Sequence, residues 1–205
     1  MIGLAGVACP SATACIASGT YRAAYGIEGL LLTGHGSSWT ATRAPAPESG
    51  PKVTLGLASA KSCPSAAVCF VPGESRGPAG HVRAIIETGR RSSWSVALAP
   101  LPADAGTGPR THSVLGAVTC PSATRCYAFG NYHDTSGHLE GFVVIWNGSS
   151  WTAAQAPMPP GAAASPSPAW AATSCPAADT CVTAANYTDS AGHRDAALLV
   201  LSPGP

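Results

Sequence analysis

Apolar positions fall in short runs of four to eight, and polar or Gly and Pro positions bound each run. GLLLTG (29–34), HVRAIIETG (81–89), GFVVIWNG (141–148) and DAALLVLS (195–202) are of this kind. Runs this short, rich in Leu, Ile and Val and closed by turn residues, predict buried β-strands rather than helices. None approaches the roughly 18 apolar residues of a membrane span, so no span is expected.

The pattern repeats. CPSATAC (Cys9 to Cys15), CPSAAVC (Cys63 to Cys69), CPSATRC (Cys120 to Cys126) and CPAADTC (Cys175 to Cys181) begin 54, 57 and 55 residues apart. Each leads into a strand-like piece, CIASGTY, CFVPGES, CYAFGNY or CVTAANY, then a polar turn and an apolar strand. In the first three copies a Trp-led strand follows at Trp39, Trp94 and Trp151, and a Pro-rich link such as APAPESGP closes the unit. A repeat of about 50 residues holding four antiparallel strands has the size of a propeller blade, and Pro-rich links suit the crossing between blades. The expected fold is all-β, a β-propeller of four-stranded antiparallel blades in one domain spanning 1–205. Its blades cover about 1–50, 51–105, 106–163 and 164–205, and the last lacks its outer strand, which makes fifteen strands in all. The repeats either close as a four-bladed ring or form part of a larger propeller.

The SSW motif after a Gly-bearing turn resembles a degenerate Asp-box hairpin of sialidase-like propellers, and the whole unit is similar to Cys-bearing propeller repeats of secreted bacterial proteins. His35, Arg90 and Asn147 occupy the region where the naming Asp would stand. The resemblance therefore implies the blade without implying sialidase activity.

Composition narrows the function. Charged residues are 10% of the chain and the net charge is +1, which gives no electrostatic footprint for nucleic acid. Eight cysteines in 205 residues point to an oxidising, extracellular compartment. The opening MIGLAGVAC matches the strand before the later Cys pairs and has no basic segment of an export signal, so no such signal is expected here. Within each unit, two cysteines separated by five residues face each other across a hairpin and are expected to bridge: Cys9–Cys15, Cys63–Cys69, Cys120–Cys126 and Cys175–Cys181. A loop this short is worth roughly 2 kcal/mol per bridge. The rival, a thiolate metal site, favours closer spacing and would need cysteines from different blades to converge.

Candidate chemistry is sparse, and no cofactor, metal or catalytic set is expected. Gly73-Glu74-Ser75-Arg76-Gly77 matches G-x-S-x-G but has prolines on both sides and no following helix, so it is expected to be a hairpin turn. His81, His138 and His193 follow a Gly at equivalent turns, and Asp134 and Asp189 are expected to bond nearby backbone there. Arg22, Arg83, Arg125 and Arg194 occupy different repeat positions and form no cluster for an acidic sugar. The three Trp are expected to pack between blades. Tyr21, Glu74, Tyr132 and Tyr187, near the ends of second strands, are the expected ligand contacts. The function expected is an extracellular, non-catalytic binding or scaffold module for carbohydrate or protein. The alternative is a fragment of a propeller-type glycan hydrolase or lyase completed by further blades of the same parent chain or by a second copy.

Overall fold

The computed structural model describes residues 2–24, 26–48, 54–58, 61–65, 67–90, 93–108, 112–177 and 180–201, and every regular element among them is a strand. The expected boundary at 50/51, the turn residues Arg91 and Ser92 of the second SSW motif, and the C-terminal SPGP lie outside the described residues.

Four antiparallel sheets follow one another along the chain. The first holds β1 (Ile2–Ser11), β2 (Ala14–Ala23), β3 (Gly26–His35) and β4 (Ser38–Arg43), paired in sequence order. The second holds β5 (Thr54–Leu57), β6 (Ser62–Ser65), β7 (Val68–Arg76), β8 (Val82–Arg90) and β9 (Ser93–Leu98). The third is β10 (Ser113–Ser122), β11 (Arg125–His133), β12 (Leu139–Trp146) and β13 (Trp151–Gln155). The fourth is β14 (Ala169–Ala177), β15 (Thr180–Thr188) and β16 (Arg194–Leu201). These are propeller blades, the last without a Trp strand. One difference from fifteen strands arises because the first strand of the second blade is broken into β5 and β6, which both pair with β7.

Register explains a glycine that the repeat carries. In the first and third blades a bulge lies early in the inner strand, between Leu4 and Gly6 and between Leu115 and Ala117. The strand beside it carries Gly19, Gly73 or Gly130, where an added Cβ would lie 2.1, 2.2 or 1.9 Å from a carbonyl oxygen of the inner strand. Only a residue without a side chain tolerates that approach.

All four expected disulfides are present, each with a Cα separation of 4.0 Å. Strand alternation puts the disulfides of the second, third and fourth blades on the sheet face turned toward the preceding blade. Cys69 joins Val71 and Ile85 of the second blade against Ile16 and Leu31 of the first. Cys126 joins Ala128 and Val144 against Phe70 and Ile86, and Cys181 lies with Tyr127, Phe129 and Val143. The core is thus a series of interblade layers, and both faces of the middle blades are buried.

The two end faces are open. Ile2, Leu4 and Val7, on the disulfide face of the first blade, are 62–70% exposed, whereas Leu115 and Val118, at the places of Leu4 and Val7 in the third blade, are buried. Leu198 of the fourth blade is 72% exposed, and its counterparts Leu31, Ile86 and Val143 are 0–3% exposed.

Candidate functional site

The second strands of the blades end on one rim, and register settles which residues are equivalent there. Tyr21 pairs with Glu28, Ser75 with Arg83, Tyr132 with Glu140, and Tyr187 with Asp195. Glu74 is one residue earlier and so projects from the opposite face of its blade. The structure brings Tyr21, Glu74, Tyr132 and Tyr187 to the same rim in separate blades, without gathering them into one pocket.

Their surroundings differ. Tyr21 is half-buried; its hydroxyl donates to Glu28 Oε2, which raises the phenol pKa, and Arg43 lies 3.0 Å from Glu28 Oε1. Tyr132 is wholly buried, donates to Asp104 Oδ1 at 2.8 Å and meets Phe142 edge-on. Burial, with the bond to Asp104, holds its phenol far above the usual range. Tyr187 is buried as well. Tyr132 and Tyr187 are therefore seated within the blades, while Tyr21 and the half-buried Glu74 remain accessible.

Ser75 of the G-x-S-x-G string is not in a turn: it lies within β7 and is 1% exposed. The expected hairpin begins just after it, where Gly80 N–H donates to the Gly77 carbonyl.

At the following turns the expected Asp behaviour is seen. Asp134 Oδ1 accepts from the N–H of Ser136 and of His138, and Asp189 Oδ1 accepts from those of Ala191 and His193. The imidazoles fold back, with Nδ1 3.2 and 3.3 Å from the partner Oδ2. The bond from His193 N–H, above all, holds the Asp189 carboxyl below its usual range. Ligand atoms of Asp134, His138 and Glu140 lie within 4.8 Å of one another, but Glu140 already accepts from Gln155 Nε2 at 3.3 Å. His81, His138 and His193 stand in different blades.

Two features were not foreseen. His112 and His133 lie with ring centroids 5.6 Å apart, joined by His133 N–H donating to the His112 carbonyl, and both Nδ1 atoms are buried without a partner. Burial lowers the His112 pKa against the opposing pull of Glu74. Glu87, in the middle of β8, is fully buried with neither carboxylate oxygen bonded, and desolvation pushes it up to about 8. Hairpin arithmetic would have found the histidine pair, since the Ser113–Tyr132 register makes His112 and His133 neighbours.

A cavity of about 400 Å³ opens at the other rim, where the disulfides lie, between the first and second blades. Trp94 forms one wall, Ile16 is on the facing blade, and Thr33, His35, Thr40 and Thr42 are among the other lining residues.

No protein-family model and no curated protein matches the chain. Among solved structures it is similar to the Hadza microbial sialidase Hz136, with TM-score 0.58 and 11% identity over 97% of this chain. The chain spans 45% of the length of that protein. The likeness shows a sialidase-like propeller fold, in agreement with the blade architecture.

Proposed function

We propose that the chain is an extracellular, non-catalytic propeller module that binds carbohydrate. The observation carrying this reading is that six carboxylates among the described residues are each engaged by a neighbouring side chain or turn. Glu28 holds Tyr21 and Arg43, Glu48 holds Arg83, Asp104 holds Tyr132, and Glu140 holds Gln155. Asp134 and Asp189 each close a turn. Glycoside hydrolysis uses two carboxyl groups facing each other across the scissile bond. Asp134 and Glu140 of the third blade do lie close, with ligand atoms within 4.8 Å, but Asp134 is tied into its own turn and to His138, and Glu140 to Gln155. The four disulfides support the extracellular assignment. The sialidase-like fold supports carbohydrate over protein as the ligand class. Tyr21 and Glu74 are the rim residues offered as contacts.

The second reading, a part of a glycan-cleaving propeller, is favoured by the open end faces, which are surfaces on which further blades would seat. Arylglycoside and sialoside substrates separate the two. The binding-module reading expects glycan binding without turnover, and hydrolysis abolished by a single Asp or Glu substitution would refute it.

A further inference from the structure

The interblade layers are not equally filled. Between the second and third blades, at the disulfide end, Phe70 meets Trp146 and Trp151 with centroid distances of 5.4 and 5.1 Å, and the two Trp rings are 5.4 Å apart. Register identifies the corresponding residues one blade earlier. Ile16 stands in the place of Phe70, Gly89 in the place of Trp146, and Trp94 in the place of Trp151. Two large rings are thereby subtracted from an otherwise equivalent layer, and the space they leave is the cavity of about 400 Å³.

What lines that space is specific in kind. A Cβ on Gly89 would fall 2.8 Å from the Trp94 ring, so the indole lies on the glycine backbone, half-buried at the edge of the cluster of Ile16 and Leu31 and turned toward the first blade. Opposite it, alternation along β3 and β4 turns Thr33, His35, Thr40 and Thr42 toward the second blade. No side-chain hydrogen bond within the protein occupies these three hydroxyls or the imidazole among the described residues. In the other blades the counterparts of Thr40, Ser95 and Thr152, donate to the carbonyls of Thr88 and Ile145. Among the described residues the cavity lining carries no carboxylate, ammonium or guanidinium.

We propose that this wedge is a binding site for a neutral pyranose, with Trp94 as the stacking platform and Thr33, Thr40, Thr42 and His35 as partners for its hydroxyls. One face of a pyranose presents C–H groups that pack on an indole, and its equatorial hydroxyls need donors and acceptors at the edge of that platform. A sialic acid is disfavoured here, because its carboxylate would find no guanidinium among the described lining residues. The site rests on the carbohydrate reading above, but it is on the rim opposite Tyr21 and Glu74.

Titration calorimetry and Trp fluorescence with lactose, cellobiose, chitobiose and sialyllactose test it on the whole chain. Two variants accompany the wild type: Ile16→Phe, which fills the wedge as Phe70 fills its counterpart, and the isosteric double change Thr33→Val with Thr42→Val. The expected result is saturable binding of at least one neutral disaccharide, weakened at least about tenfold in both variants with the melting temperature retained. If Ile16→Phe does not fold, the double Val variant decides. A neutral sugar binding equally well to the variants, or sialyllactose binding in preference to all neutral sugars, overturns the wedge and leaves the carbohydrate reading standing. Binding of no sugar at all overturns both.

Discussion

Glu87 makes the stability of this fold depend on pH in a calculable way. Its side chain is 0% exposed and lies on the disulfide face of the second blade, in register with Val71 and Val96 and among Ile16, Leu31 and Ile85 of the layer against the first blade. Leu32 and Val144 hold the same position in the first and third blades. Desolvation raises its pKa from 4.5 to about 8, so over that interval the folded chain keeps a proton that the unfolded chain has released. Stability is therefore greatest below the unfolded value and falls by about 1.4 kcal/mol per pH unit until the folded value is passed. The total loss is on the order of 5 kcal/mol, a large share of the 5–15 kcal/mol typical of a domain. Burial lowers Lys61 to about 8 and acts in the adjoining window: its contribution rises with pH from about 8 toward its ordinary value of 10.5. The two effects do not overlap below pH 8. Urea unfolding midpoints, taken without reductant from pH 5 to pH 8, should fall steeply for the wild type and stay nearly level for Glu87→Gln. Parallel curves for the two proteins across that range would refute the assignment.

Two further outcomes follow from the interblade layers. Phe70→Ala, which removes the ring shared with Trp146 and Trp151, should cost about 3–5 kcal/mol in chemical denaturation, whereas Trp39→Ala, at a ring that is 48% exposed, should cost less than about 1 kcal/mol. Equal losses would show that the first blade carries a layer on its outer side. Leu198→Asp should leave the melting temperature within a few degrees of wild type, while Ile86→Asp, at the equivalent but buried position, should abolish folding. A large loss from Leu198→Asp, coupled to a change in mass by light scattering, would mean that the open face of the fourth blade is occupied in solution.

The blades and bridges were legible in the sequence because each is written four times, and a Cys pair with constant spacing fixes the hairpin. The rim was less legible. Counting six residues on from the second cysteine leads from Cys15 to Tyr21, from Cys126 to Tyr132 and from Cys181 to Tyr187, but from Cys69 to Ser75, so Glu74 does not share their position. The burial of Tyr132 and Tyr187 was hidden for another reason. All three tyrosines stand on the disulfide faces of their blades, and Tyr132 and Tyr187 are buried where a preceding blade packs, while Tyr21 shares the open face of Ile2 and Leu4. Glu87 was invisible on the same grounds. A carboxylate alternating with apolar residues ordinarily marks a solvated face, and in a blade covered on both sides there is no such face.

That absence of a solvated face also gives meaning to the open ends. Blades two and three are buried on both sides by their neighbours, and the repeat supplies the same apolar alternation to the first and fourth blades, where on one side no neighbour covers it. Exposed Leu4 and Val7 and exposed Leu198 and Val200 are thus complementary surfaces: one is a disulfide face, the other is the kind of face on which disulfide faces seat in the three layers already formed. Contact between such surfaces is heterologous, so it closes only if the rotation per blade completes a ring, and otherwise it adds blades in an arc. A blade seated on either face would bring that same alternation to it. An unrelated apolar partner would leave the bulged inner strand and its glycine unmatched, and the layer would hold a void where the layer between the second and third blades holds close-packed side chains.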